Sequence, residues 1–231
     1  MSGPARWAAS GSGVESRRQV LAGFAACVDA APPKPAPSPR RVAAPDCRLP
    51  DGRKGELEIV AENARDFVMM DLKMTSCPAN RGLPDLDHPA AFRYVHLLTL
   101  PRKPVTGVED PRRERDPAIW QDAWDVARAY LPEDDLVLVV NPRAQRTQDQ
   151  LHVHATRFAP GARARFLEQA RHVRDLPGVW TAARTQAMAM DGSLDSGRFG
   201  VAAARSADGG FAVAVQLDRS PEAAFSLPCG R

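Results

Sequence analysis

The sequence predicts an α+β domain, an antiparallel sheet with flanking helices, from three observations. Leu136–Val140 and residues 150–158 are strand-length segments joined by one turn-rich loop, which reads as a hairpin. Phe199–Arg205 and Phe211–Leu217 flank Ser206-Ala207-Asp208-Gly209-Gly210, whose Asp-Gly step favours a tight hairpin turn. Between such hairpins lie isolated stretches with helical spacing, and hairpins joined by single helices make a sheet with helices rather than a parallel α/β core.

Taken in order, the first 45 residues stand apart from the rest. Residues 16–21, Ser-Arg-Arg-Gln-Val-Leu, resemble a twin-arginine export signal, and a short apolar run over 20–28 follows at the length of a signal core. Cys27 within that run is a candidate lipid-attachment residue. Then comes a Pro- and Ala-rich linker, too poor in large apolar side chains to pack. The composition changes near Pro45, so the predicted folded domain occupies residues 46–231.

Inside it, 67–71 and 93–100 read as strands, separated by a long loop rich in Pro, Gly, Asn and Asp. Asp116-Pro117 places a capping residue before a Pro at the first helical position. The apolar face beyond it, Ile119, Trp120, Ala123, Trp124, Ala127, Tyr130 and Leu131, ends at Pro132. Its two Trp are expected to anchor the core. A second helix is expected over 162–173, with Phe166, Leu167, Ala170 and Val173 inward.

Composition narrows the function classes. The chain has 231 residues, 44% hydrophobic, and a formal net charge of +3 from 31 basic and 28 acidic residues. That suffices for one domain with a core, plus a tail. No block of like charge suggests a nucleic-acid arm, and no apolar stretch approaches the roughly 20 residues that span a bilayer. Cys27, Cys47, Cys77 and Cys229 lack Cys-x-x-Cys spacing, which argues against a zinc ribbon or a thioredoxin-like redox site. Because Cys47 opens the folded region and Cys229 closes it, a disulfide between them is expected, with Cys77 free.

The chemistry is concentrated in residues 141–156. Alternation along a strand sends Leu151, Val153 and Ala155 into the core and puts Gln150, His152, His154 and Thr156 on the other face. Two imidazoles thus share a polar face directly after a loop bearing Asn141, Arg143, Arg146, Thr147 and Gln148. Phosphoanhydride cleavage needs a nucleophile in line with the leaving phosphate and donors for the non-bridging oxygens. A neutral imidazole suits the first role and forms a covalent nucleotidyl-histidine, which water then hydrolyses. Arg143, Arg146, Thr147 and His154 suit the second, and this route requires neither cofactor nor metal.

At these residues the chain resembles a known family. The run LVVNPRAQRTQDQLHVHATRF resembles the histidine-triad (HIT-like) superfamily and, within it, the CDP-diacylglycerol pyrophosphatases. The upstream YVHLLTLPRKPVTGVEDP and the Trp-containing helix over 118–128 extend the likeness to about residues 94–158, with a weaker echo in the hairpin that starts at Phe199. The resemblance implies that His152 is the nucleophile, His154 the last histidine of the triad, and Asn141 and Thr147 contacts to ribose or phosphate. It implies a HIT-like fold, hydrolysis of CDP-diacylglycerol to CMP and phosphatidate, and a membrane surface as the place where the nucleotide-lipid substrate is met. Gln150 stands where the first triad histidine is expected, and residues 75–89 read as an insertion.

Other functions fit parts of the pattern. A two-histidine phosphoesterase needs two His-x-Thr or His-x-Ser motifs; His154-Ala155-Thr156 is one, but His96-Leu97-Leu98-Thr99 is a residue too long and puts His96 and Thr99 on opposite faces. An exported metal-binding module would use His152, His154 and a carboxylate such as Asp149, which alternation turns to the Leu151 face. A non-catalytic nucleotide-binding relative of the triad fold is a further reading, given Gln150. His88 and His172 are expected to be solvated.

Overall fold

Among the described residues the apolar segments form eight strands in one antiparallel sheet: β1 (Leu57–Glu62), β2 (Asp66–Asp71), β3 (His96–Pro101), β4 (Leu136–Val140), β5 (Val153–Arg157), β6 (Arg171–Val173), β7 (Phe199–Arg205) and β8 (Phe211–Leu217). Their order is β1-β2-β3-β5-β4-β7-β8-β6, and every pair is antiparallel. The helices are α1 (Lys73–Ser76), α2 (Ile119–Ala127), α3 (Ala162–Gln169), α4 (Val179–Ala189) and α5 (Pro221–Phe225). The structure, a computed structural model, describes residues 57–71, 73–81, 92–146, 148–190 and 196–230. The expected export segment and linker, Cys27, Cys47, His88 and Thr147 lie outside these residues. None of the described helices is long and apolar enough to cross a membrane.

Alternation along the strands gives the sheet two apolar faces. On one, Leu97, Leu138, Val153, Ala155, Val201 and Val213 pack against α2 and α4. Trp120 and Trp180 meet edge to face with ring centroids 5.0 Å apart, as do Trp124 and Phe211, the arrangement aromatic quadrupoles favour. The two Trp of α2 are core anchors, as their spacing predicts. On the other face Val137, Val139, Ala202, Ala204, Ala212 and Ala214 receive Phe166 of α3 and Phe225 of α5. A smaller cluster on that side, Leu57, Met69, Leu98 and Leu100, covers β1 to β3. Between these two clusters the second face is polar.

Three sequence-based expectations are corrected. The second hairpin strand begins at Val153 rather than Gln150, because the Leu151 amide donates to the Val105 carbonyl in the β3–α2 connection instead of joining a ladder. The helix expected over 162–173 stops at Gln169, where Ala170 turns extended. Arg171, His172 and Val173 instead pair with Val213, Ala212 and Phe211 as the edge strand β6. There His172 is exposed, with Nε2 3.0 Å from the Gly209 carbonyl oxygen. The turn beside it needs Gly209 and Gly210, both at positive φ, and a Cβ on Gly210 would lie 2.8 Å from the Val173 carbonyl.

The third correction is the disulfide. Cys229 is bonded to Cys77, with the two Cα atoms 5.5 Å apart across a sequence separation of 152, so Cys77 is not free. Bonded to Cys77, Cys229 is not available to pair with Cys47. The first described strand, β1, lies at the sheet edge, whereas the C-terminal tail runs along the end of β5, where the Leu227 amide donates to the Arg157 carbonyl and Phe158 bridges to Ser226. Cys77, just after α1, is the cysteine this tail meets. Replacing Cys77 or Cys229 with Ser should lower the urea midpoint by the equivalent of about 2–4 kcal/mol, the usual effect of opening a long covalent loop. Non-reducing peptide mapping should recover the Cys77–Cys229 peptide; recovery of Cys229 joined to Cys47 would refute the pairing.

Candidate active site

The polar gap on the second face is built by register. Pairing of β3 with β5 sets Leu98 opposite His154 and His96 opposite Thr156, and pairing of β4 with β5 sets Val139 opposite His154. His96, His154 and Thr156 therefore share one face, with Asp71 at the end of β2 on the same side as Met69. Thr99 is turned away and fully buried, so the two His-x-Thr motifs of a phosphoesterase are not formed. His152, one residue before β5, stays in phase with His154: their ring centroids are 4.6 Å apart, edge to face. Both imidazoles are buried, at 8% and 7% exposure.

Buried imidazoles must have partners, and the partners reveal which nitrogen carries the proton. Nδ1 of His152 lies 2.7 Å from the Gln150 backbone oxygen. A carbonyl oxygen only accepts, so Nδ1 is the protonated nitrogen and Nε2 keeps its lone pair. Burial also pushes the His152 pKa below its ordinary 6.5, outweighing the Gln150 carbonyl and Glu222, which favour the cation. The outcome is a neutral imidazole with a free Nε2.

His96 and His154 form a second arrangement. Nδ1 of His96 is 3.1 Å from Asp71 Oδ2, and its Nε2 is 2.8 Å from His154 Nδ1, with the two rings stacked. Glu222 of α5 flanks both, its carboxylate oxygens 3.4 Å from His96 Nε2 and 3.6 Å from His154 Nδ1. Burial would depress His96, but hydrogen bonds and charge from Asp71 and Glu222 prevail and raise its pKa to about 9. Burial takes His154 the other way, to about 3. Burial works against the charge on Asp71 and Glu222, yet their imidazole and amide partners hold both carboxyls below the usual range. The Nε2 of His154 is buried and has no protein partner.

Of the residues expected to contact substrate, several are engaged with the protein itself. Asn141 holds α5: its Nδ2 donates to Glu222 Oε2 at 2.7 Å, and its Oδ1 accepts from Ser220 Oγ at 2.7 Å. Gln150 donates its side-chain amide to the Pro101 carbonyl at 2.8 Å. Arg146, anticipated as a phosphate donor, is a buried, bidentate partner of Glu109, whose pKa it helps to lower. The pair fits because Gly107 has no Cβ; one built there would overlap the Arg146 guanidinium. Gln148 has a buried, unpartnered Oε1, and Asp149 is exposed. Arg143 is exposed and lines a cavity of about 460 Å³ with Ser196, Arg198 and Asp218, which none of the three histidines lines.

Asp71, His96 and Glu222 enter the site without having been assigned to it from sequence. Ser220-Pro221-Glu222 did carry a local signal: Ser220 caps α5 by accepting from the Ala223 amide, with Pro221 at the first turn. A Cβ on Gly200 would overlap Pro221, so this glycine lets α5 settle on β7. Among the described residues His96, His154 and Glu222 also form a group whose ligand atoms lie within 4.8 Å of one another, as a metal site would require. The 2.8 Å between the two imidazole nitrogens is a hydrogen-bond distance, whereas two nitrogens each about 2.0 Å from a tetrahedral zinc stand roughly 3.3 Å apart. The geometry favours the hydrogen bond.

Comparison with known proteins bears on the same region. Residues 90–189 match a family model described as CDP-diacylglycerol pyrophosphatase. The chain is 36% identical over 115 residues to the CDP-diacylglycerol pyrophosphatase of Mycobacterium tuberculosis, covering 44% of each chain. It is 41% identical over 73 residues to a probable CDP-diacylglycerol pyrophosphatase of Mycobacterium leprae, covering 27% of each. To the Yersinia pestis protein of the same name it is 28% identical over 124 residues, covering 46% of each. The chain thus spans less than half the length of these curated relatives, and through β3, α2, β4, β5 and α3 it is similar to the CDP-diacylglycerol pyrophosphatases.

Proposed function

We propose that this protein is a hydrolase with a HIT-like fold that cleaves the phosphoanhydride of CDP-diacylglycerol, releasing CMP and phosphatidate. The observation that carries the reading is the His152 Nδ1 contact with the Gln150 carbonyl, which leaves an unprotonated Nε2 on a buried ring. The lone pair of Nε2 attacks the phosphorus of the cytidylyl group, and the bond from that phosphorus to the bridging oxygen breaks with its electron pair leaving on phosphatidate. The Nδ1–H stays on the carbonyl, which offsets the positive charge that the ring acquires. Water then attacks the same phosphorus, the P–N bond breaks, CMP departs and a proton is released to solvent. His154 contributes its Nε2 side to the oxygens around phosphorus, and Arg143, exposed beside the loop, is the arginine of the segment open to a substrate phosphate. The likeness to CDP-diacylglycerol pyrophosphatases supports the choice of substrate.

The location proposed is export through the twin-arginine-like residues 16–21, to a membrane surface where the lipid resides. The Cys77–Cys229 disulfide supports an oxidising compartment. A reporter fused after residue 45 should be exported, and Arg17→Lys with Arg18→Lys should retain it inside the cell; unchanged export would remove the twin-arginine reading.

His152→Ala should abolish turnover of CDP-diacylglycerol, and the acid-labile nucleotide label that accumulates on the wild-type enzyme should be absent. His154→Ala should retain activity lowered about 10²- to 10³-fold, the usual effect of losing one of several charge-stabilising donors. A His152→Ala protein with near wild-type turnover would overturn the mechanism. CDP-choline and dinucleoside polyphosphates assayed alongside define the substrate class, and a chain that binds CDP-diacylglycerol without turning it over is a nucleotide-binding relative instead.

The neutral imidazole is the attacking form, and its pKa is lowered in the folded protein, so it stays deprotonated as pH falls through the ordinary imidazole range. The acid limb of kcat/KM should therefore lie below pH 6.5, checked by a pH series; a limb above 6.5 would contradict the assignment.

A further inference from the structure

We infer that His96 is a positioning residue: held between Asp71 and Glu222, it donates through Nε2 to His154 Nδ1 and so fixes His154 as the tautomer with a proton on Nε2. This rests on the reading that His152 is the nucleophile, because the fixed proton is valuable only beside a phosphorus under attack.

The donor assignments follow from what each partner can accept. Asp71 Oδ2, a carboxylate oxygen, accepts from His96 Nδ1 at 3.1 Å, so Nδ1 carries a proton. If His96 is neutral, its Nε2 is then an acceptor, His154 must donate from Nδ1, and His154 Nε2 has only a lone pair. If His96 is the cation, Nε2 donates across the 2.8 Å contact, His154 Nδ1 accepts, and the single proton of neutral His154 sits on Nε2. The two states of His96 thus present opposite chemistry at the same His154 atom. A lone pair there would repel phosphate oxygens, whereas an N–H would hold them.

The groups facing His96 decide between these states. From β2 comes Asp71, itself bound by the Lys73 amide. From α5 comes Glu222, 3.4 Å from Nε2. From β5 comes His154 and, just before that strand, His152, both neutral; just before β3 the Tyr94 ring lies 6.2 Å away, and burial pushes its hydroxyl pKa up, so it remains uncharged. Two carboxylates face His96, and the Lys73 ammonium acts on one of them, Asp71; the pair of carboxylates prevails and favours the imidazolium, in keeping with a His96 pKa of about 9. At neutral pH His154 accordingly offers Nε2–H. That atom is buried and unpartnered in the protein, so a substrate oxygen is the partner it awaits. Above about pH 9 His96 loses its proton, the His154 proton moves to Nδ1, and the donor disappears.

The test reads the tautomers directly in substrate-free protein. With ¹⁵N-labelled histidine, two-bond ¹H–¹⁵N correlation spectra at pH 7 should show His96 protonated at both nitrogens and His154 protonated at Nε2. Raising the pH through about 9 should convert His154 to the Nδ1–H form. Asp71→Asn should lower the pH of that conversion by about one unit or more and move the alkaline limb of kcat with it, while KM changes little. His96→Phe should reduce kcat about 10²- to 10³-fold. A His154 found as Nδ1–H at pH 7, an Asp71→Asn enzyme whose alkaline limb does not move, or one equivalent of Zn²⁺ shifting His96 and His154 together would overturn the inference. Because the spectra need no substrate, a chain that fails to hydrolyse CDP-diacylglycerol sinks the functional reading without altering this result.

Discussion

Everything in the site depends on one constraint: three imidazoles and the Asp71 carboxylate are withdrawn from water, with Glu222 half-buried beside them, on a sheet face that is otherwise apolar. Leaving a buried polar group without a partner costs about 1–3 kcal/mol, and an unpaired charge costs more. Each group is therefore tied to a particular neighbour. His152 takes a backbone carbonyl, His96 takes Asp71 and His154, and Glu222 takes the Asn141 amide. These ties fix the rings: His152 Nδ1 is held to a carbonyl oxygen, and His154 Nε2 is left without a protein partner. The apolar clusters on either side maintain the low dielectric that gives such contacts their strength.

The C-terminal segment is what completes this arrangement. α5 has only five residues, too short to be stable by itself. Its position comes from Phe225 buried against Phe166, from Pro221 seated over Gly200, and from Asn141, which binds both Ser220 and Glu222. Beyond it, Thr156 donates to Ser226, and the Cys77–Cys229 bond joins the tail to the segment that follows Asp71 and α1. The covalent link thus connects the two stretches of chain that bring a carboxylate to His96. Stability and site geometry are coupled here.

The parts of the fold legible from sequence are those with strong periodicity. The Trp face of α2, the continuous apolar β4 and the β7–β8 hairpin lie where the pattern puts them. α4 was illegible because its buried face beyond Val179 and Trp180 is made of Ala183 and Ala187, which carry little hydrophobic contrast. The region 171–173 was misread because an edge strand of three residues cannot outweigh a preceding helical pattern. In the site, His152 and His154 were legible from alternation alone. Asp71, His96 and Glu222 were not, since they meet only through the β2–β3–β5 register and a helix more than 60 residues beyond His154. Asn141 and Arg146 were noticed for hydrogen bonding and charge, and in the structure their side chains bind Glu222 and Glu109.

Gln150 illustrates how a change of residue type can leave a geometry intact. The group that orients His152 is the backbone oxygen of residue 150, not its side chain, so the tautomer of His152 survives whatever residue stands there. The Gln150 side chain is turned to the Pro101 carbonyl at the end of β3, where it ties the start of β5 to its neighbouring strand. An imidazole at this position could make that bond with one nitrogen and would still have a second polar atom to satisfy; the amide donates to the carbonyl and leaves an acceptor oxygen. The departure from the resembled pattern therefore changes how the strand is fastened more than how the His152 ring is presented. The imidazole in contact with His154 comes instead from the neighbouring strand β3, where Asp71 and Glu222 reach it.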